Sequence, residues 1–278
     1  KSIVPMDKMG LPADRMNTLR LMLARPYGII LVTGPTGSGK TTTLYSILNE
    51  MNTESVNIMT LEDPVEYPMA RIRQASAADN PKMDFANGIR SMMRQDPDII
   101  LVGEIRDHET AEMAFRAAMT GHQVFSTLHA NSAVLAVARL LDLGIPVSVM
   151  TGNLIGIVAQ RLVRLLCPKC KVAYEAGDVE KSLLGVAHHL PLTLYRAVGC
   201  THCKNQGYKG RTSIMELLRF DMGLDDLLSR NARTPELLAH ARSNGFTTMA
   251  EDGLGRVLAG TTSLEEVARV VDLTRLAA

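Results

Sequence analysis

Tryptophan is absent from this sequence, and aromatic residues make up only 4% of it. Sequence-tolerant stacking on single-stranded bases needs aromatic faces, so that mode of binding has little support. No block of lysine and arginine stands out, and 30 basic residues against 29 acidic ones leave a net charge of +1. Strong electrostatic attachment to nucleic acid is not expected from such a balance. A signal peptide and an unbroken apolar run are lacking too. The most apolar window, 143–166, contains Pro146, Gly152, Asn153, Gly156, Gln160, Arg161 and Arg164. It reads as a buried or interfacial helix pair rather than a membrane span. The chain starts at Lys1 instead of methionine, which reads as a piece of a longer protein. Its 278 residues suit one large domain and one small one.

Against these absences stands one stretch: Gly34, Pro35, Thr36, Gly37, Ser38, Gly39, Lys40 and Thr41. It is the full phosphate-loop pattern. An apolar β-branched run at 29–32 precedes it, and 42–51 follows with Leu44, Ile47, Leu48 and Met51 at helical spacing. The glycines let backbone N–H groups approach phosphate oxygens, and a helix N-terminus adds partial positive charge. Residues from Gly34 to Lys40, with Thr41 and Thr42 behind them, are therefore the candidate ATP-binding set. Lys40 is expected to reach the β- and γ-phosphates, and Thr41 to place its hydroxyl on Mg²⁺.

A helix is expected over 14–25, with Met16, Leu19, Met22 and Leu23 inward and Pro26 as its stop. A strand at 56–61 leads into Glu62, Asp63, Pro64, Val65 and Glu66. Acidic residues at the C-terminal end of a parallel strand lie where α/β folds bind ligands. Asp84 caps a helix over 84–95 that buries Phe85, Ile89, Met92 and Met93. The strand 99–102 runs straight into Gly103 and Glu104, an apolar strand followed by a carboxylate, which is the Walker B arrangement. Asp107 caps the next helix, 109–119, and Gly121 ends it. The strand 123–128 is bracketed by His122 and His129, with a polar cluster of Ser126, Thr127, His129 and Asn131. Neutral hydrogen bonds to a γ-phosphate suit this cluster better than metal ligation. A helix over 132–143 follows. Such alternation implies a parallel sheet with helices on both faces.

All four cysteines fall in two C-x2-C pairs, Cys167 with Cys170 and Cys200 with Cys203, separated by 29 residues. That is the pattern of a tetrahedral, structural Zn²⁺ site; reactive dithiols and disulfides are the competing readings. His202 is a spare ligand, and His188 and His189 read as surface residues. Residues 213–218 read as a strand or short helix, and the remainder as helical. Thr234 with Pro235 marks one helix start, and Ser263 with Glu266 forms a capping box at another.

In this order, the motifs at 34–41, 61–66, 90–98, 103–107, 121–129 and the paired cysteines closely resemble the type II secretion and type IV pilus assembly ATPases. The resemblance implies an α/β, RecA-like P-loop NTPase core with a mainly parallel sheet, a small tetracysteine zinc subdomain and a C-terminal helical subdomain. The expected boundaries are 1–27 for a lead-in helix, 28–165 for the core, 166–211 for the zinc subdomain and 212–278 for the helical tail. It implies a homo-hexamer, peripheral on the cytoplasmic face of a bacterial inner membrane. ATP hydrolysis there drives pilin or pseudopilin assembly through a platform protein. Glu104 is then the carboxylate that polarises water, Glu62, Asp63 and Glu66 form an acidic box, and His122 and His129 a histidine box. Arg90, Arg94 and Arg106 match motif positions open to a trans-acting arginine or a salt bridge. The family's N-terminal domains, which help complete the nucleotide site, are not in this chain, and its zinc motif argues against the retraction branch. The segment 69–84 fits the family poorly and leaves Arg71 and Arg73 without a role. No aspartate lies on the Walker B strand, so Mg²⁺ rests mainly on Thr41 and water. The rival is a P-loop motor of conjugation or DNA handling, which the charge balance and scarce aromatics disfavour.

Overall fold

The computed structural model describes residues 2–79 and 84–276. Helix α1, Ala13–Leu23, precedes strand β1, Gly28–Thr33. Then come α2, Lys40–Met51; β2, Ile58–Glu62; and β3, Ile72–Ser76. Next are α3, Phe85–Met93; β4, Ile99–Val102; α4, His108–Met119; β5, Gln123–Leu128; and α5, Ala133–Asp142. A short α6, Val147–Met150, leads into β6, Leu154–Leu166. The pair β7, Val172–Glu175, and β8, Thr193–Arg196, flanks α7, Asp178–Leu183. Strand β9 spans Tyr208–Arg219, and four helices close the chain. These are α8, Met222–Ser229; α9, Thr234–Ser243; α10, Met249–Leu258; and α11, Leu264–Val270.

Among the described residues the large sheet has the order β3-β2-β4-β5-β1-β6-β9. The pairs β2–β3, β2–β4, β4–β5, β1–β5 and β1–β6 are all parallel. Every residue of β1, β4 and β5 is buried, as strands covered on both faces must be. Helices α3, α4 and α5 begin on side-chain caps: Asp84 accepts from Asn87 N–H, Asp107 from Thr110 N–H and Ser132 from Leu135 N–H.

The apolar window 143–166 is not a helix pair. It is mostly β6, whose first eight residues are buried, with Gly156, Ile157 and Val158 opposite Ile30, Leu31 and Val32 of β1. A strand buried on both faces shows no polar alternation, so its apolar run mimics a buried helix. Gly156 sits in close contact there: a Cβ would meet the tip of the Met22 side chain at 2.3 Å and the Leu218 carbonyl at 3.1 Å. Within the segment 69–84, Ile72–Ser76 forms the edge strand β3; residues 80–83 lie outside the described residues. The stretch 213–218 is part of the longer strand β9.

The chain forms two compact units, Lys1–Ala159 with Leu217–Phe246, and Gln160–Glu216 with Thr247–Ala278. This division cuts through the expected helical tail. In the first unit, Leu224, Leu228, Leu237, Ala241 and Phe246 of the α8–α9 region join the core around β1, β4 and β5. In the second, Met249, Val257, Leu264 and Val267 pack with Val163, Leu194 and Ile214. Two expected caps differ. The residue before α9 is Arg233, with no side-chain cap, so Thr234 is already helical. Ser263 does accept from Glu266 N–H, but the Glu266 carboxylate turns to Arg164 and Arg269 instead of closing a capping box.

Candidate functional site

β1 ends at Thr33, whose hydroxyl donates to the carbonyls of Leu128 at 2.7 Å and Ala130 at 3.0 Å. These bonds join the C-terminal ends of β1 and β5. The glycine loop follows, with φ of +82° at Gly37 and +87° at Gly39, values that side-chain-bearing residues resist. Gly34 and Ser38 are buried; Pro35, Thr36 and Gly37 form an exposed crest; Gly39, Lys40 and Thr41 are half-buried, and Thr42 is exposed. Unlike α3, α4 and α5, α2 has no side-chain cap, so its first turn offers its N–H groups to an anion. Lys40 Nζ donates to the Gly34 carbonyl at 2.6 Å and lies 3.4 Å from His129 Nδ1.

Glu104 is pinned by main-chain bonds on both sides. Gly103 N–H donates to the Leu61 carbonyl at 2.8 Å, and Ile105 N–H to the Thr127 carbonyl at 2.9 Å. Gly103 runs so close to β2 that a Cβ would lie 3.1 Å from Cα of Glu62. Glu104 Oε1 is 2.7 Å from His129 Nε2, and Oε2 accepts from Arg106 Nε at 2.7 Å. A carboxylate facing Nε2 calls for a proton there, while Nδ1 faces both the Lys40 ammonium and, at 3.3 Å, the Gly34 carbonyl.

Glu62 has a different environment. It is 4% exposed, and its Oε1 accepts from the Tyr45 hydroxyl and Oε2 from Thr60 Oγ1 at 2.7 Å. Asp63 and Glu66 are exposed. Ser126 and Thr127 do not face the loop: their hydroxyls donate to the carbonyls of Val102 and Gly103, each at 2.7 Å. His122 departs furthest from expectation. It precedes β5, and the strand's six residues at about 3.3 Å each put it about 20 Å from His129, at the other end of the sheet. Its Nδ1 lies 2.8 Å from the Ala117 carbonyl, and its own carbonyl accepts from Gly28 N–H. Within this chain His122 closes the α4–β5 turn and has no part at the phosphate loop. Of the three arginines, Arg106 joins Glu104, Arg90 donates to Asn87 on the α3 surface, and Arg94 is exposed. Arg71 lies 3.7 Å from Glu54 in a surface pair.

The sulfurs of Cys167, Cys170, Cys200 and Cys203 lie within 4.8 Å of one another, the one such ligand group among the described residues. Separations are 3.9 Å for Cys167–Cys200 and 3.8 Å for Cys170–Cys203 and for Cys200–Cys203. Four thiolates at about 2.3 Å from a tetrahedral Zn²⁺ would sit about 3.8 Å apart, so the donor set fits that ion. Burial pushes the Cys203 thiol up, but the N–H groups of Cys200 and Gly207 outweigh it and bring it down to about 6. His202 stands outside the set, 3.2 Å from Lys209 Nζ. Burial, then Lys209 and Lys169, hold its pKa down.

The model of the family described as type II/IV secretion system protein matches residues 2–269. The chain belongs to that family. The type II secretion system protein E of Pseudomonas aeruginosa is 50% identical over 246 residues, which are 88% of this chain and 49% of that protein. The type II secretion system ATPase E of Vibrio cholerae is 48% identical over 265 residues, 95% of this chain and 52% of that protein. The type IV pilus assembly ATPase PilB of Myxococcus xanthus is 46% identical over 268 residues, 94% and 47% of the two chains. The chain thus spans about half the length of these curated relatives. The crystal structure of the pilus retraction motor PilT with bound ADP superposes with a TM-score of 0.73 at 30% identity, covering 98% of this chain and 68% of that one. The Legionella pneumophila ATPase DotB shares the fold, with a TM-score of 0.70 at 23% identity, covering 97% and 65%. The fold of this secretion-family chain is the α/β P-loop architecture that its motifs imply.

Sequence reasoning passed over Tyr45, Thr60 and Gln74, which enclose Glu62. One signal was present: a tyrosine in the apolar face of α2 needs a buried partner for its hydroxyl.

Proposed function

We propose that this chain is the ATP-hydrolysing core of a motor that powers type II protein secretion or type IV pilus assembly by polymerising pseudopilins or pilins. The observation that carries the reading is the line Lys40–His129–Glu104, which joins the phosphate loop to the carboxylate after β4. The loop N–H groups and Lys40 bind the β- and γ-phosphates of ATP. Glu104 accepts a proton from the water that attacks the γ-phosphorus, the bond to the β–γ bridging oxygen breaks, and ADP and phosphate leave. His129 holds Glu104 in place, and Arg106 neutralises its outer oxygen. Mg²⁺, carried by Thr41, would neutralise charge on the β- and γ-oxygens. The four cysteines would hold a Zn²⁺ in a structural role. The working unit is a homo-hexamer, peripheral on the cytoplasmic face of the bacterial inner membrane and coupled to a platform protein. No helix among the described residues is long and apolar enough to cross a membrane.

Two variants of the assembled protein test the reading. Lys40→Ala should lose nucleotide binding with helix content unchanged. Glu104→Gln should bind ATP and turn it over about a hundredfold more slowly. Normal turnover by Glu104→Gln would reject the assignment.

A further inference from the structure

We infer that Tyr45 is a positioning residue, tying the phosphate-loop helix to the strand end that carries Glu104, with Glu62 as the intermediate and not as a base for water. The inference rests on the hydrolysis proposed above and adds a residue to it.

Tyr45 lies five positions after Lys40 on α2 and is fully buried. Its hydroxyl donates to Glu62 Oε1, at the end of β2. The phenol oxygen of Tyr45 in turn accepts from Glu66 N–H at 3.3 Å and from Gln74 Nε2, on β3, at 3.3 Å. One phenol therefore joins α2 to the end of β2, to the middle of β3 and to the acidic segment between them. Packing alone does not call for a tyrosine here. The ring meets Tyr67 edge-on at a centroid distance of 4.8 Å, and a phenylalanine would meet it equally well. A buried hydroxyl is costly unless its bonds are made, and here they are made to a carboxylate. Burial, reinforced by the bond to Glu62, pushes the Tyr45 pKa upward, so the phenol keeps its proton and remains the donor.

Both oxygens of Glu62 are thereby occupied inside the protein, Oε1 by Tyr45 and Oε2 by Thr60. Glu104 also has a partner on each oxygen, so burial is what separates the two carboxylates: Glu62 is 4% exposed, whereas the Glu104 side chain is 16% exposed and its partner His129 lies open to the loop. The tie continues through the main chain. Gly103 N–H is bonded to the Leu61 carbonyl, and a Cβ on Gly103 would crowd Cα of Glu62 at 3.1 Å. A shift of α2 on phosphate binding moves Tyr45 and Glu62, then Gly103, and so the adjoining Glu104. Two packed contacts of fixed length can transmit such a shift only if each remains bonded.

The test is steady-state ATP hydrolysis by the assembled protein with Tyr45→Phe, Glu62→Gln and the double variant, alongside affinity for a non-hydrolysable ATP analogue. Tyr45→Phe should lower kcat about tenfold while KM and analogue affinity stay within about threefold. The double variant should fall no further than the worse single variant, because both break one tie. If Tyr45→Phe fails to fold with an unpaired buried carboxylate, the double variant is compared with Glu62→Gln, and an equal kcat supports the tie. A Tyr45→Phe kcat within about twofold of wild type, a loss confined to KM, or additive losses would each overturn it. Wild-type protein that hydrolyses no ATP would instead overturn the hydrolysis reading itself.

Discussion

Nε2 of His129 sits 2.7 Å from Oε1 of Glu104. Its other ring nitrogen faces the Lys40 ammonium at 3.4 Å. Without the ring, Glu104 keeps only Arg106, an exposed partner that can swing with its own side chain. His129→Ala is therefore expected to lower kcat about thirtyfold, with nucleotide affinity changed less than about threefold. His129→Gln, which can still donate to Glu104, should recover part of that loss. Hydrolysis rates and nucleotide titrations on the same preparations check it. An unchanged kcat in His129→Ala would remove the histidine from the mechanism.

The sulfur separations near 3.8 Å fit the ligand spacing of a tetrahedral Zn²⁺. Elemental analysis should find about one zinc per chain. A strong chelator, or Cys170→Ser, should expose the segment between Cys167 and Cys203 to proteolysis first. The first compact unit, which contains the phosphate loop, should keep its nucleotide affinity. Metal-free protein with unchanged protease resistance would contradict the assignment.

The parts of the core that could be read in advance share one property: their signals are local. β1 and β4 are short apolar runs stopped by glycine or a polar residue, and Asp84 and Asp107 cap helices through bonds to residues three positions away. What escaped depends on distant partners. β6 is apolar because β1 and the α1 side chain Met22 cover it, which no periodicity displays. His122 and His129 look alike beside one strand, yet the strand's length sends them to opposite ends of the sheet. Ser126 and Thr127 have the right chemistry for phosphate, but their hydroxyls donate to the carbonyls of Val102 and Gly103 instead. Helices α8 to α11 carry similar apolar stripes, and only their partners divide them between two cores.

Glu266 gives the second unit a pH-dependent element. Its carboxylate is 1% exposed and accepts from Arg164 N–H at 3.0 Å, Arg164 Nη2 at 2.8 Å and Arg269 Nη2 at 2.7 Å. Burial alone would raise its pKa, but the donors of Arg164, then those of Arg269, bring it from 4.5 down to about 2. A carboxyl depressed on folding stabilises the protein at pH values above its unfolded pKa. That contribution is lost as pH falls from the unfolded value of 4.5 towards the folded value of about 2. Arg164 and Arg269 are 47% and 55% exposed, so water screens part of the interaction. Glu266→Gln should therefore cost about 2 kcal/mol at neutral pH, less than the full shift implies. Near pH 3 the difference from wild type should shrink to less than about half of that, because the unfolded wild-type chain already holds the proton. Urea unfolding of both proteins at the two pH values measures the change directly. A difference that stays constant between them would mean that packing, and not the charge of Glu266, holds Arg164 and Arg269 in place.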